Sequence, residues 1–401
     1  MSKWEWKKLG DVCTIHGRIG WQGLTKKEHR RSGDYLLITG VNFTSDNTVD
    51  YDSCVYVDEE RYVQDPNIQV RKNDLLITKD GTLGKLALIT DNPPKPATLN
   101  GGLFVIRNEN NTIYPKFLMD VMKSDAFRKR IEKSITGSTV PHLTQNMLVN
   151  FPIPIPPLSE QKHIVKTLDE KFAKIDKLKS AAETNLKNAR EIFNAELNSK
   201  LNIENDNLPQ SWEQKTIGAI CKLISGDSKA NDLPEGTVPY VKVADMNNPE
   251  NYNGIVTSSR NVKIELNDRR IFPVGTVVFP KIGGAILTNK KKIVLVPICC
   301  DLNIMGVIPG KSIDKYYLFY FFKSIDFSKL FNGASIPQIN NCDVAPLQIP
   351  LPPLSEQKRI VAHLDKLSEK VKRLEENYTR TIADCEELKK SILKQVFEVE
   401  K

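Results

Sequence analysis

Few stretches of this 401-residue chain carry residue types able to do chemistry. Asn92-Pro93-Pro94-Lys95 begins like the Asn-Pro-Pro-aromatic loop of amino-methylating enzymes, whose aromatic face stacks on an extruded adenine. Lys95 offers no such face, and no glycine-rich cofactor loop follows a strand ahead of it. The stretch reads as a proline loop. Gly306-Val307-Ile308-Pro309-Gly310-Lys311-Ser312 looks like a phosphate loop. It has three residues between its glycines, too few for the motif, and Pro309 removes a donor the phosphate would need, so it reads as a turn. His16, His29, His142, His163 and His363 have neither HExxH nor His-x-His spacing, which leaves zinc chemistry without ligands.

Binding chemistry has more support. The glycine-punctuated loop Gly17–Lys27 carries Arg18, Trp21, Gln22, Lys26 and Lys27. Guanidinium, amide and ammonium donors of this kind suit base edges and phosphates. A solvated basic loop with Trp21 packed inward is the plain alternative. Lys79, Thr82 and Lys85 lie in a glycine-containing turn between two strand-like runs, where they either contact a groove or cap the turn. Lys281 falls at the matching place later in the chain. Lys290, Lys291 and Lys292 suit phosphate contact, and equally a solvated hairpin tip. The net charge of +8 and pI near 8.9 are compatible with a nucleic-acid partner without requiring one. The excess lies outside the long helices described next, about +3 before the first and about +4 before the second.

Those helices must position everything else. Phe151–Lys179 reads FPIPIPPLSEQKHIVKTLDEKFAKIDKLK and Leu347–Glu375 reads LQIPLPPLSEQKRIVAHLDKLSEKVKRLE, with PPLSEQK identical. The prolines extend the chain and remove donors. Ser159 and Ser355 then stand as expected N-caps, and Glu160 and Glu356 suit the first turn. An apolar stripe follows. In the first copy it is Ile164, Leu168, Phe172, Ile175, Ala182, Leu186, Ala189, Phe193 and Leu197. In the second it is Ile360, Leu364, Leu367, Val371, Leu374, Tyr378, Cys385, Leu388 and Ile392. So narrow a stripe predicts a coiled-coil seam over roughly 60 Å of helix, and each helix needs a partner face. The economical partner is the other copy.

The remaining sequence is duplicated more loosely. Trp212–Gly218 echoes Trp4–Gly10, and residues 332–339 echo 136–143. Strands are expected at Tyr35–Thr39, Cys54–Val57, Asp74–Thr78, Leu86–Thr90, Leu103–Arg107, Val238–Val243, Thr276–Phe279 and Ile293–Val296. Helices are expected at Pro115–Lys133 and Ile313–Phe331. The expected order is a globule over 1–150, a helix over 151–201, a linker over 202–210, a globule over 211–346 and a helix over 347–401. Seven cysteines without a CxxC pair read as reduced, cytosolic thiols. The start MSKWEWKKLG lacks a signal-peptide core, and the longest apolar run, Ile293–Cys300, is too short to span a membrane.

The tandem PPLSEQK helices, the Trp-containing restart and the glycine turns at strand ends resemble the specificity subunit of type I restriction-modification systems. The likeness covers essentially the whole chain. It implies an α+β protein in which two target-recognition domains are held apart by an antiparallel two-helix coiled coil with an approximate internal two-fold. It further implies a non-catalytic DNA reader of a bipartite, asymmetric site with an unread spacer. Each head would bring one of two modification (adenine methyltransferase) subunits to its half-site, and restriction subunits would join the full complex. S-adenosylmethionine, ATP and Mg would belong to those partners, with no cofactor in this chain. The alternative is a coiled-coil scaffold whose globules bind proteins, which the near-neutral helices and the modest charge of each globule also allow.

Overall fold

The computed structural model describes residues 4–18, 23–135, 142–202, 208–330 and 337–397. The chain forms two compact units, residues 1–182 with 380–401, and residues 183–379. Unit 1 contains β1 (Glu5–Lys8), α1 (Leu9–Val12), β2 (Thr14–His16), β3 (Tyr35–Ile38), β4 (Val55–Val57), α2 (Glu59–Val63), β5 (Leu75–Thr78), β6 (Leu86–Leu88), β7 (Ala97–Leu99), β8 (Leu103–Arg107), α3 (Pro115–Met122), α4 (Asp125–Ile135), α5 (Gln145–Val149), β9 (Pro152–Ile155) and the first part of α6 (Leu158–Leu201). Unit 2 contains β10 (Glu213–Thr216), α7 (Ile217–Ile220), β11 (Cys221–Ser225), β12 (Glu235–Val241), β13 (Asn261–Val262), β14 (Ile271–Phe272), β15 (Val277–Pro280), β16 (Lys292–Ile293), β17 (Ile298–Cys300), β18 (Ile304–Pro309), α8 (Lys315–Ser324), α9 (Asn341–Val344), β19 (Gln348–Leu351) and the first part of α10 (Leu354–Phe397).

Each unit is built around one antiparallel sheet, ordered β2-β8-β5-β6 in unit 1 and β11-β18-β15-β16 in unit 2. Both faces of this sheet are covered, so its central strands β5, β8, β15 and β18 are largely buried instead of alternating with exposed polar residues. In unit 1, Leu75, Ile77, Phe104 and Ile106 pack with Phe117 and Leu118 of α3. Their neighbours Leu76, Leu103 and Val105 pack with Leu36 and Ile38 of β3 and Leu99 of β7. Unit 2 repeats the split. Val277, Phe279, Met305 and Val307 join α8, whereas Val278 and Ile304 join Val241 and Ile298. The second layer of each unit holds a parallel pair, β3–β7 or β12–β17.

The PPLSEQK segment locks this body to its helix, in the same way in both copies. The strand ahead of it closes a two-stranded sheet, with Glu5 opposite Ile155 in one copy and Glu213 opposite Leu351 in the other. Trp4 Nε1 donates to Glu160 at 2.9 Å, and Trp212 Nε1 donates to Glu356 at 3.1 Å. The glutamines are fully buried. Gln161 accepts from Tyr114 N and donates to Thr112 O and Pro156 O. Gln357 accepts from Asp314 N and donates to Ser312 O and Pro352 O. The motif thereby satisfies backbone groups that the prolines and the loop before α3 or α8 would otherwise leave unpaired.

Both long helices form as expected, each 44 residues and so about 66 Å long. In unit 1 the first part of α6 runs antiparallel to the last part of α10. Asp176 pairs with Lys389, and Lys179 with Glu386 at 2.5 Å. In unit 2 the rest of α6 runs antiparallel to the first part of α10, where Arg190 pairs with Glu375 at 2.6 Å.

Several expectations are corrected. The helices start at Leu158 and Leu354, and Pro157 O and Pro353 O accept the first helical bonds, so Ser159 and Ser355 lie inside the helices and are not N-caps. Leu374 and Leu388 are 41% and 50% exposed, which takes them out of the seam. The polar Glu375 and Lys389 occupy the inward-leaning positions beside them, so following the nearest leucine shifts the stripe onto a flank. Val165, Val361 and Leu393 are buried instead. Pro115–Lys133 divides at Lys123-Ser124 into α3 and α4. Gly306 lies within β18, where a Cβ would meet the Phe272 ring at 2.6 Å, so the Gly306–Ser312 stretch is largely strand, not turn.

Candidate nucleic-acid interface

Each unit gathers a rim of loops at one end of its main sheet. In unit 1 the turn after β5 is tied to the segment before β8 by Lys79 N donating to Gly102 O at 2.9 Å. It is tied to the segment before α5 by Leu143 N donating to Lys79 O at 3.0 Å. In unit 2 Lys281 N donates to Asn303 O at 2.8 Å, and Ile339 N donates to Lys281 O at 2.9 Å. Lys79 and Lys281 therefore hold the same structural place. The loop after the first strand of each sheet enters the rim through a glycine. A Cβ on Gly17 would meet the Phe104 ring at 2.6 Å, and one on Gly226 would meet Asp301 O at 2.0 Å. Only glycine allows so close a backbone approach.

The rims differ in what they present. In unit 1 Lys79 lies 4.8 Å from the Phe104 ring centroid. Asp80 and His142 meet at 2.5 Å. Gly81 and Gly84 have positive φ, which bends the turn so that Thr82 and Lys85 stand exposed. Thr78 Oγ1 braces this turn from beneath, donating to Thr82 O at 2.5 Å and accepting from Lys85 N at 2.9 Å. In unit 2 the turn is Lys281-Ile282-Gly283-Gly284. Lys281 is partly buried, which lowers its pKa, and its Nζ donates to Ser225 Oγ at 3.2 Å.

The other candidate residues are placed as follows. Trp21 and Gln22 lie outside the described residues. Arg18 is 3% exposed, with its guanidinium bonded to Leu99 O at 3.0 Å, Gln64 Oε1 at 3.2 Å and Thr98 Oγ1 at 3.3 Å. It ties the loop to the protein interior. Lys26 and Lys27 are exposed on a short turn whose Glu28 pairs with Arg61. The three adjacent lysines do not form a solvated hairpin tip. Lys290 bonds to Asn247. Lys291 is 7% exposed, donates to Ile325 O at 2.6 Å and lies 4.1 Å from the Phe327 ring centroid. Burial pushes its pKa down to about 8. Lys292 donates to Asn251 O and Tyr252 O. The Asn92–Lys95 stretch is a structural loop, with Asn92 accepting from Lys72 N and Lys95 donating to Gly33 O.

Reading along the chain missed the loops before β8 and β18, Asn100–Gly102 and Asp301–Asn303. They have no basic residue to mark them, although the paired glycines at 101 and 102 were a signal. Asp80 was likewise passed over beside Lys79. Among the described residues no group of three or more His, Cys, Asp and Glu side chains is placed to hold a metal ion. No described helix is long and apolar enough to cross a membrane.

Two recurring bodies, each with a loop rim and locked to a long helix, define a duplicated recognition protein. The sequence profile described as type I restriction modification DNA specificity domain matches residues 1–188 and 209–382, and the chain belongs to that family. It is 25% identical over 397 residues to the putative type I restriction enzyme MjaX specificity subunit of Methanocaldococcus jannaschii, covering 91% of this chain and 87% of the relative. It is 21% identical over 427 residues to the type I restriction enzyme EcoKI specificity subunit of Escherichia coli K12, covering 97% and 88%. A chain from a structure of a type I R-M system, solved for its complex assembly and conformational transition, shares the fold with TM-score 0.77, 22% identity and coverage of 98% and 97%. The HsdS subunit from Thermoanaerobacter tengcongensis gives TM-score 0.60, 20% identity and coverage of 99% and 97%.

Proposed function

We propose that this chain is the DNA sequence-specificity subunit of a type I restriction-modification complex. One observation carries the reading: two rims with the same backbone hydrogen bonds present different side chains. A shared scaffold with two different surfaces suits two half-sites of different sequence. The heads would lie within residues 1–150 and 211–346, and the helices 151–201 and 347–401 would space them.

Lys79, Thr82 and Lys85 in unit 1, with Lys26 and Lys27, and Lys281 in unit 2 are the residues proposed to lie nearest the DNA. The lysines suit phosphate contacts, which fix register, and the tips of the turns suit base edges. One such subunit would carry two modification subunits, with restriction subunits joining in the full complex. The methyl donor and ATP would be held by those partners, and this chain would perform no reaction of its own. Membership of the family and the specificity-subunit names of its relatives support this reading over a protein-binding scaffold.

Modified-base sequencing tests it. DNA from a methylation-free host expressing this chain with its methyltransferase partner should carry one gapped, asymmetric motif, modified on both strands. A host with the methyltransferase alone should lack the mark. No new mark from a complex that assembles, together with DNA binding that does not weaken as salt rises, would favour the scaffold.

A further inference from the structure

The two PPLSEQK segments stand 196 residues apart, Pro156 matching Pro352. By that offset position 179 of α6 matches 375 of α10, and 190 matches 386. The ion pairs Lys179–Glu386 in unit 1 and Arg190–Glu375 in unit 2 are therefore one contact, present twice with its sign reversed. A duplicated helix retains the option of pairing with its own kind. In a pair of two α6 helices with this register, Lys179 would face Arg190 of a second copy. In a pair of two α10 helices, Glu375 would face Glu386, and Lys372 would face Lys389. Every one of these contacts sets like charges together, whereas α6 against α10 sets Lys179 on Glu386, Arg190 on Glu375 and Asp176 on Lys389.

We infer that this swapped charge pattern determines which helix pairs with which. It admits α6 with α10 and rejects each helix with itself. The side chains are partly to largely solvent-exposed, 30% and 49% for Lys179 and Glu386, and 62% and 31% for Arg190 and Glu375. Exposed pairs contribute little to stability. Their value lies in discrimination, because like charges at flanking positions of a coiled coil count against the wrong partner. Part of the apolar seam discriminates poorly, since Leu168 matches Leu364 and Ile175 matches Val371, whereas Phe172 matches Ser368 and Ala182 matches Tyr378, so the charges act beside differences in side-chain size. The consequence is that every assembled frame carries one head of each kind. That consequence for target asymmetry rests on the function proposed above, whereas the pairing claim rests on the helices alone.

The test uses the full chain with a specific protease site inserted in the linker 202–210, cut after folding, and native mass spectrometry of the halves. The wild type should remain a pair of unlike halves. K179E/E386K keeps an attractive pair in unit 1 but makes both self-pairings attractive at these positions. It should therefore release like-with-like pairs, shifting the distribution by about tenfold or more. R190E/E375R should do the same from unit 2. Combining both swaps restores like charges in every self-pairing and should restore the wild-type distribution, a rescue that a general loss of packing would not give. If the two swaps leave unlike halves as exclusive as in the wild type, or the combined variant scrambles like the single swaps, the charge pattern does not set the pairing. No DNA enters this measurement, so its failure and the failure of the functional reading are told apart.

Discussion

At the foot of each main sheet one helix packs on the long-helix frame, and the two units make that contact with different chemistry. In unit 2 Tyr320 of α8 is buried and donates to Asp365 of α10 at 2.6 Å. In unit 1 the matching residue of α3 is Asp120, 3% exposed, with no partner for Oδ2. There Asp169, which matches Asp365, is paired by Lys116 at 2.6 Å. The glutamine lock beside this contact is unchanged in both units. Backbone-directed contacts of the frame and the Trp–Glu pair have been kept, while the side-chain pair this helix makes against the frame has been rewritten. The heads follow the same rule, with one hydrogen-bond scaffold and two surfaces.

The largest expected effect breaks the comparison on the side of unit 1. Arg107 grips Asp74 through two donors, and the side chains are 8% and 1% exposed. Among the described residues no ion pair of unit 2 is as buried. Arg107→Met leaves Asp74 as a buried charge without its partner, at a cost of about 3–5 kcal/mol. Hydrogen exchange should show loss of protection in unit 1 while unit 2 keeps its own.

Gln161→Leu and Gln357→Leu sharpen the comparison. Each removes three hydrogen bonds to backbone groups, one of them buried and two part-buried, and should cost about 3 kcal/mol in its own unit. Equal losses are expected, read as protection of the segments before α3 and α8. Clearly unequal losses would show that the repeated motif has come to do different jobs.

Asp120 gives a difference that appears only as pH rises. Burial raises its pKa to about 7, despite the nearby cations Lys123 and Lys116, with Asp169 adding to the rise. Folded protein thus binds a proton that the unfolded chain has released from about pH 4 upward. Stability of unit 1 therefore falls as pH rises from about 4 to 7 and is level above that. Asp120→Asn should match the wild type near pH 4 and exceed it at pH 8 by up to about 4 kcal/mol. Tyr320→Phe in unit 2 should show no such dependence over that range. Thermal melts across pH check both.

Smallest are the rim lysines. Lys79→Ala or Lys85→Ala should weaken binding to all sequences a few-fold. Each substitution that frees one phosphate should also reduce the slope of log affinity against log salt by about 1, read from binding isotherms across a salt series.

The repeated helices, the Trp restart and the α+β order were legible because long periodicity and an identical heptapeptide survive duplication. Fewer than half of the strands were found: runs such as Leu75–Thr78 stand out because they are apolar, whereas β2 and β11 carry polar residues and β13 and β14 are only two residues long. The seam was legible only where its residues are apolar. At Glu375 and Lys389 charged side chains sit at inward-leaning positions, and the leucines beside them misled. The interface was the least legible part. Arg18 has the residue type of a base reader and is buried among backbone carbonyls. Lys291 has the type of a phosphate contact and is packed on Phe327. What separates a rim lysine from a structural one is burial, which depends on contacts remote in sequence. Lys79 meets Gly102 and Leu143, and Lys281 meets Asn303 and Ile339.

The central claim is that the two heads read separate half-sites from one frame. Replacing the first globule by that of a relative, with both helices kept, and sequencing the modified bases addresses it most directly. The expected result is a motif with one half changed and the other half and the spacer retained. A motif changed in both halves, or left unchanged, would contradict the claim.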